Sequence, residues 1–345
     1  MLKIFNLFYI LLFTFVTCTA MEKEKPFHHT KNGFRNLDSE VEVKGLGDVL
    51  SWQFSKLFQS KQSSVNPSDY KFEVITNDGA ELRKNSHKTS FTWIGHATLL
   101  IQLDGKNILT DPIWSQRCSP VDFAGPKRYT PPGLKLEDLP FIHIVLISHN
   151  HYDHLDLPTL VELEKRFSPT FFVGLKNTDL LKNHGIQKVF ELDWWEEISL
   201  FELSITFTPT QHFSARGVFD RNQTLWGSFV VLGKEHSFFF AGDTGYFSGF
   251  KEIRKKFPNL DFAILPIGAY EPRWFMKAVH MNPEDAVQAF LDLQAKYFIP
   301  MHYQTFVLSD EALDAPLSFT KTEFQRRSLD INKLLSLKIG ESKFF

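Results

Sequence analysis

The chain has 345 residues, with 38 Lys and Arg against 40 Asp and Glu, a formal net charge of −2 and 43% hydrophobic residues. That balance excludes a disordered or collagen-like chain and a nucleic-acid binder working by bulk positive charge, and the length suffices for a sizeable core without disulfides. Its 36 Phe against 8 Tyr and 7 Trp place most ring surface in side chains with no polar handle, which suits a core or an apolar groove.

Residues 4–16 are almost entirely apolar, follow Lys3 and lead into Thr17, Cys18, Thr19 and Ala20. This is the shape of a secretory signal over residues 1–20, too short for a span of about 20 apolar residues. Cleavage after Ala20 is the expected outcome; the alternative reading is a lipoprotein signal with Cys18 lipidated, although Phe15 and Thr17 depart from such a box. The expected location is therefore exported, periplasmic or extracytoplasmic and membrane-associated; if the segment is not a signal, it is cytoplasmic and membrane-associated. Cys118 is then the one other thiol, and no internal disulfide is expected. Residues 21–88 read as an N-terminal arm, charged and poorly periodic as far as Lys44. Within it Leu46, Leu50, Phe54, Leu57 and Phe58 recur at helical spacing, an amphipathic helix that docks on the body or faces lipid.

The remainder, 89–345, reads as one domain. Strand patterns occupy 91–103 and 106–109, on either side of the turn signal Asp104-Gly105, then 141–147, 170–173, 203–207, 228–232, 237–241, 262–265 and 297–300. Helical periodicity occupies 157–166, 250–257, 283–295 and 324–335. Mixed strands with interspersed helices and no strict βαβ repeat predict an α/β architecture of two sheets packed face to face with helices outside.

The run His149-Asn150-His151-Tyr152-Asp153-His154 places four metal-ligand side chains directly after an apolar strand. Residues two apart in an extended segment face one side, so His149 and His151 can chelate one ion. Asp156 and Pro158 then start a helix, and the intervening turn can aim Asp153 and His154 at a second ion. His212, Asp243 and His302 each stand just past an apolar run, so they can converge on one edge of the sandwich. Asp243 is the expected bridge, because two carboxylate oxygens can reach two cations. Asp111 is a candidate acceptor that would orient a ligating histidine. His28, His29, His87, His96, His143, His184 and His236 receive no function.

This pattern resembles the signature of the metallo-β-lactamase fold, an αββα sandwich. Within that superfamily the chain is similar to the N-acyl-phosphatidylethanolamine-hydrolysing phospholipase D family, through WIGHATLLIQ, LTDPIW, GPKRY, VLISHNHYDHLD, ELDWWEE, FTPTQH, LWGS, FFFAGDTGY, PIGAYEPRWFMK and GES. The resemblance implies two zinc ions per chain, with His149, His151 and His212 on one, Asp153, His154 and His302 on the other, and Asp243 between them. Nitrogen and oxygen donors also suit iron or manganese. It implies catalytic roles for Asp153, Asp243 and His280, the last contacting phosphate or protonating the leaving oxygen. The implied reaction is attack on phosphorus by a hydroxide shared between the ions, giving N-acylethanolamine and phosphatidate. The implied partners are a phospholipid substrate, a membrane surface and a second copy of the chain, with no nucleic acid. Tyr303 and Gln304 replace the Trp and Gly of the mammalian enzyme, a departure that bears on acyl-chain and headgroup preference. The alternatives are a lactonase or a phosphodiesterase for soluble substrates on the same fold, or a non-catalytic metal-binding module. A β-lactamase fits less well, since the second ion has no cysteine ligand.

Overall fold

The computed structural model describes residues 25–38, 47 and 66–345. The apolar segment 4–16, Cys18 and, apart from Gly47, the helix expected at 46–58 lie outside the described residues. Thirteen strands form two sheets among the described residues. The first contains β1 (Ser90–Gly95), β2 (Thr98–Leu103), β3 (Lys106–Thr110), β4 (Ile144–Leu146), β5 (Thr170–Gly174) and β6 (Val189–Leu192) in sequence order, with β13 (Ser342–Phe344) added beside β1. The second contains β7 (Glu197–Leu200), β8 (Leu203–Thr208), β9 (Ser228–Leu232), β10 (Ser237–Phe240), β11 (Phe262–Pro266) and β12 (Tyr297–Met301), also in sequence order. Each sheet is antiparallel at one end and parallel at the other: β3 to β6 and β10 to β12 run parallel.

Alternation along the strands explains the layers. Leu99, Ile101, Ile144, Leu146 and Phe172 face the second sheet, where they meet Ile205, Phe207, Phe229, Val231 and Ile264 in the main core. The intervening Leu100, Val145, Phe171 and Val173 face outward onto a second core with Leu160 and Leu163. Strands buried on both faces read as continuous apolar runs, and these do. Among the helices, α1 (Ala80–Lys84), α2 (Leu157–Phe167), α3 (Thr178–Lys182), α4 (Gly249–Lys256), α5 (Arg273–Met276), α6 (Pro283–Leu293) and α7 (Ala315–Arg326), α2 covers the first sheet. Helices α4 and α6 cover the second through Phe250, Ile253, Val287 and Phe290. The α6 N-terminus is closed by a capping box between Asn282 and Asp285, with Pro283 in the first turn.

The expected hairpin at Asp104-Gly105 is present: Leu103 pairs with Lys106, and both turn residues have positive φ, 48° and 70°. Two expectations are corrected. The single strand at 91–103 is two, because Gly95 (φ 131°) and His96 (φ 55°) reverse the chain between β1 and β2. The helix expected at 324–335 is α7, which starts nine residues earlier with Pro316 in its first turn and ends before Ser328 (φ 54°). Leu334 and Leu335 are apolar because they pack beside β12, not because they belong to a helix. Strands β6, β7 and β13 went unpredicted because they are short, partly exposed and at or beside sheet edges, so their apolar alternation is weak. Residues 25–38, read as part of an arm, lie against the sandwich: Phe34 enters the main core and its backbone N–H donates to Asn222 O at 2.8 Å.

Candidate metal centre

The parallel halves of both sheets end at the same edge, where loops at strand carboxyl ends gather ligands. Asp111 follows β3, the His149–His154 loop follows β4, Asp243 follows β10 and His302 follows β12. His212 arrives from the loop after β8. Tight turns are needed there: Asp111 (φ 34°), His302 (φ 64°) and His96 (φ 55°) are all left-handed, a backbone strain that concentrates at functional sites. At Gly242 (φ 59°) a Cβ would stand 2.3 Å from Ser148 Cβ, so only glycine lets the Asp243 loop approach the ligand loop this closely.

Three imidazoles form the first pocket. His151 Nδ1 lies 2.8 Å from His149 Nε2 and 3.3 Å from His212 Nε2. The outer nitrogens of His149 and His212 fix their tautomers. His212 Nδ1 donates to Val279 O at 3.0 Å, which leaves the Nε2 lone pair inward. Asp111 receives Ser148 N (2.7 Å), Ser148 Oγ (2.6 Å) and His154 Nδ1 (2.6 Å). Burial raises the Asp111 carboxyl above its ordinary range, with His154 and Ser148 opposing; three donors aimed at two oxygens nevertheless hold it as carboxylate. Ser148 Oγ, having spent its proton on Asp111, accepts from His149 Nδ1 at 2.9 Å, so His149 also presents a bare Nε2 inward. Asp111 therefore orients one ligand of each pocket.

The second pocket joins His154, Asp153, His302 and Asp243. His154 Nε2 is 3.3 Å from Asp153 Oδ2 and 3.1 Å from Asp243 Oδ2. His302 Nε2 is 3.5 Å from Asp153 Oδ2 and 3.1 Å from Asp243 Oδ1. Asp243 Oδ2 also lies 3.9 Å from His212 Nε2, so this carboxylate stands between the two pockets. His154 Nε2, His302 Nε2 and Asp243 Oδ1 are buried without a hydrogen-bond partner. Orphaned donors and acceptors converging on one point are what a metal ion would satisfy, and the residues fit a pair of ions.

All seven ligand residues expected from the sequence thus come together. His280 completes a third side: its Nδ1 is 3.9 Å from Asp243 Oδ2 and has no hydrogen-bond partner, while its ring is 5.2 Å from His212. Burial pushes its pKa down to about 4, which keeps the ring neutral. One residue that sequence reasoning passed over is also present. His96, at the β1–β2 turn, donates from Nε2 to Asp153 Oδ2 at 2.9 Å, with its ring 4.1 Å from His302. Burial, then His302, pushes it down to about 3. The signal was the Gly95-His96 pair interrupting an apolar run, hidden by reading that run as one strand. His143, His184 and His236 bond instead to Asn107 N, Leu180 O and Thr89 Oγ1, outside the centre.

Beside Tyr152 of the ligand loop a groove of about 1370 Å³ opens, lined by Val121, Phe123, Leu157, Val161 and Arg216. Two exposed rings stand nearby in sequence, Phe123 of the lining at 79% exposure and Phe219, in the loop whose Gly217 and Asp220 line the groove, at 92%.

The family described as Beta-lactamase superfamily domain matches residues 106–303. N-acyl-phosphatidylethanolamine-hydrolyzing phospholipase D 1 of Caenorhabditis elegans is 43% identical over 227 residues, 62% of this chain. The matched part spans only 64% of that protein's own length. A metal-dependent hydrolase of Methanopyrus kandleri is 32% identical over 254 residues, 73% of this chain and 97% of its own. Among solved structures, Igni18, a metallo hydrolase from Ignicoccus hospitalis, superposes with a TM-score of 0.56 at 23% identity, covering 75% of this chain and 98% of the other, a likeness of fold alone.

Proposed function

Starting from the fact that the chain belongs to the metallo-β-lactamase superfamily, we propose that it is a metal-dependent hydrolase of that fold and, more narrowly, a two-zinc phosphodiesterase. On this reading it cleaves N-acyl-phosphatidylethanolamine to N-acylethanolamine and phosphatidate. The observation that carries the reading is Asp243, a buried carboxylate placed between an all-histidine pocket and a mixed one. When bound, two zinc ions neutralise the phosphodiester and make hydroxide available near neutral pH. The chain's own residues do the rest. Asp111 and Ser148 hold His149 and His154 with their inward nitrogens bare. His96 orients Asp153. Neutral His280, with Nδ1 turned to the centre, is positioned to offer a hydrogen bond to the substrate phosphate or the leaving oxygen.

The lipid part of the proposal has two supports. The nematode relative bears that activity in its name. The groove beside Tyr152, with exposed Phe123 in its lining and exposed Phe219 on the loop that supplies Gly217 and Asp220 to it, offers apolar surface to acyl chains and to the membrane that holds them. The same reading puts the protein at a membrane surface, exported if residues 1–20 act as a signal.

The test is hydrolysis of N-acyl-phosphatidylethanolamine in mixed micelles against a short-chain soluble phosphodiester, with and without the paired change Phe123→Ser and Phe219→Ser. Faster cleavage of the lipid, reduced by the paired change while the soluble diester is unaffected, is the expected result. A soluble diester cleaved as fast as the lipid would refute the lipid assignment and leave the metallo-hydrolase.

A further inference from the structure

A second set of metal-ligand side chains shares no residue with the centre above. His28 and His29 lie on the N-terminal segment, and Asp193 lies between β6 and β7, the outer strands of the two sheets. His28 Nε2 is 2.6 Å from Asp193 Oδ1, and His29 Nε2 is 2.7 Å from Asp193 Oδ2. The three ligand atoms all lie within 4.8 Å of one another.

The rings are held in place by packing. His28 stacks on Trp194 at 4.2 Å and 26°, and Phe34 stands edge-on to His29 at 5.1 Å and 81°. The hairpin carrying them is closed by Thr30 N to Gly33 O (2.8 Å) and Arg35 N to His28 O (2.9 Å). Side-chain exposures of 7% for His28, 24% for His29 and 15% for Asp193 leave one side open to water. Two imidazoles and one carboxylate with a solvent-facing fourth position form a donor set suited to zinc. Tetrahedral bonds of about 2.0–2.1 Å place ligand atoms roughly 3.3 Å apart, so the present contacts need to spread by about 0.6 Å, within the reach of side-chain adjustment.

We infer that His28, His29 and Asp193 form a peripheral divalent-metal site that clips the N-terminal segment to the β6–β7 loop. Binding breaks the two Nε2–H···Oδ hydrogen bonds to Asp193, releases the Nε2 protons to solvent, and forms bonds from each Nε2 lone pair and one carboxylate oxygen. Each ring then carries its single proton on Nδ1, and no redox change is involved. The clip has a consequence for the main centre. Seven residues after His29, Asn36 Nδ2 donates to His212 O at 2.8 Å, and Asn36 Oδ1 accepts from His212 N at 3.1 Å and Trp226 Nε1 at 3.0 Å. A metal at the clip fixes the segment that braces a ligand of the first pocket.

The test is elemental analysis of full-length, tag-free protein dialysed against excess zinc, for wild type, His29→Gln and Asp193→Asn, alongside hydrolase activity. About three zinc ions in wild type and two in each variant are expected, with substantial though reduced activity as the sign that the fold and main centre survive loss of the clip. Two zinc ions in wild type at saturating metal, or three in both variants, overturns the proposal; the wild-type count decides even if a variant fails to fold.

Discussion

The two pockets of the candidate metal centre are both buried, but their surroundings push their histidines in opposite directions. In the first, burial and then the mutual repulsion of the rings keep His149 well below the ordinary histidine range; His212 is also well below it, and His151 is down at about 4. In the second, burial works the same way, but carboxylates outweigh it. Asp243, Asp153 and Asp111 hold His154 well above the ordinary range, and Asp243 with Asp153 raises His302 to about 9. Burial likewise opposes ionisation of Asp153 and Asp243, yet the facing histidines hold both well below the usual carboxylate range. The first pocket therefore favours neutral histidines, whose lone pairs are available to a cation. In the second, the carboxylates favour the protonated histidines, so a cation bound there would have to displace protons. Carboxylate content alone makes the difference, since the pockets are adjacent and share Asp243.

The sharpest way to break this comparison is to remove the shared residue. Asp243→Asn should lower hydrolase activity by more than about 100-fold, beyond the loss typical of a partner that merely orients a ligand, while circular dichroism shows the fold retained. Wild-type turnover in this variant would take Asp243 out of the centre. Asp111→Asn should weaken metal binding about 10- to 100-fold. The loss should be greater in the second pocket, because Asp111 bonds His154 directly but reaches His149 only through Ser148. Equal losses in both pockets, by competitive chelator titration, would contradict that geometry.

These opposite shifts predict different pH dependences. A histidine whose pKa is raised must give up its proton to bind metal, so second-pocket affinity should fall as pH drops through about 9 toward 6, by about tenfold per pH unit for each proton displaced. First-pocket affinity should stay flat over that range, because its histidines are already neutral. Calorimetry in buffers of different ionisation enthalpy reads the released protons directly; release of equal numbers in both steps would remove the distinction. The smallest effect is expected for His96→Gln, which removes one hydrogen bond to Asp153: a loss of about tenfold in second-pocket affinity, at the low end for an orienting partner, with the first pocket unchanged.

Much of this centre was legible before any coordinates. A dense histidine and aspartate run after an apolar strand marks a loop that chelates, and parallel strands bring their carboxyl ends to one edge, so His212, Asp243 and His302 could be expected there from position alone. What stayed hidden depended on backbone reversal and long-range pairing. His96 reaches Asp153 only because Gly95 and His96 turn the chain, and an apolar run does not announce a turn. His28 and His29 reach Asp193 across more than 160 residues, which no local period encodes. The packing of two sheets with helices outside was legible in the mix of strand and helix patterns, but the strand order was not, and the edge strands β6, β7 and β13 carry too little burial to leave a pattern.

The central proposal, that both pockets beside Asp243 must hold a metal for hydrolysis, is tested most directly by titrating metal-free protein with zinc while following release of N-acylethanolamine from N-acyl-phosphatidylethanolamine micelles. Turnover should remain near background through the first tightly bound equivalent and rise steeply with the second, the third equivalent adding only a smaller increment. Full turnover after one equivalent, or turnover independent of zinc, would contradict the account.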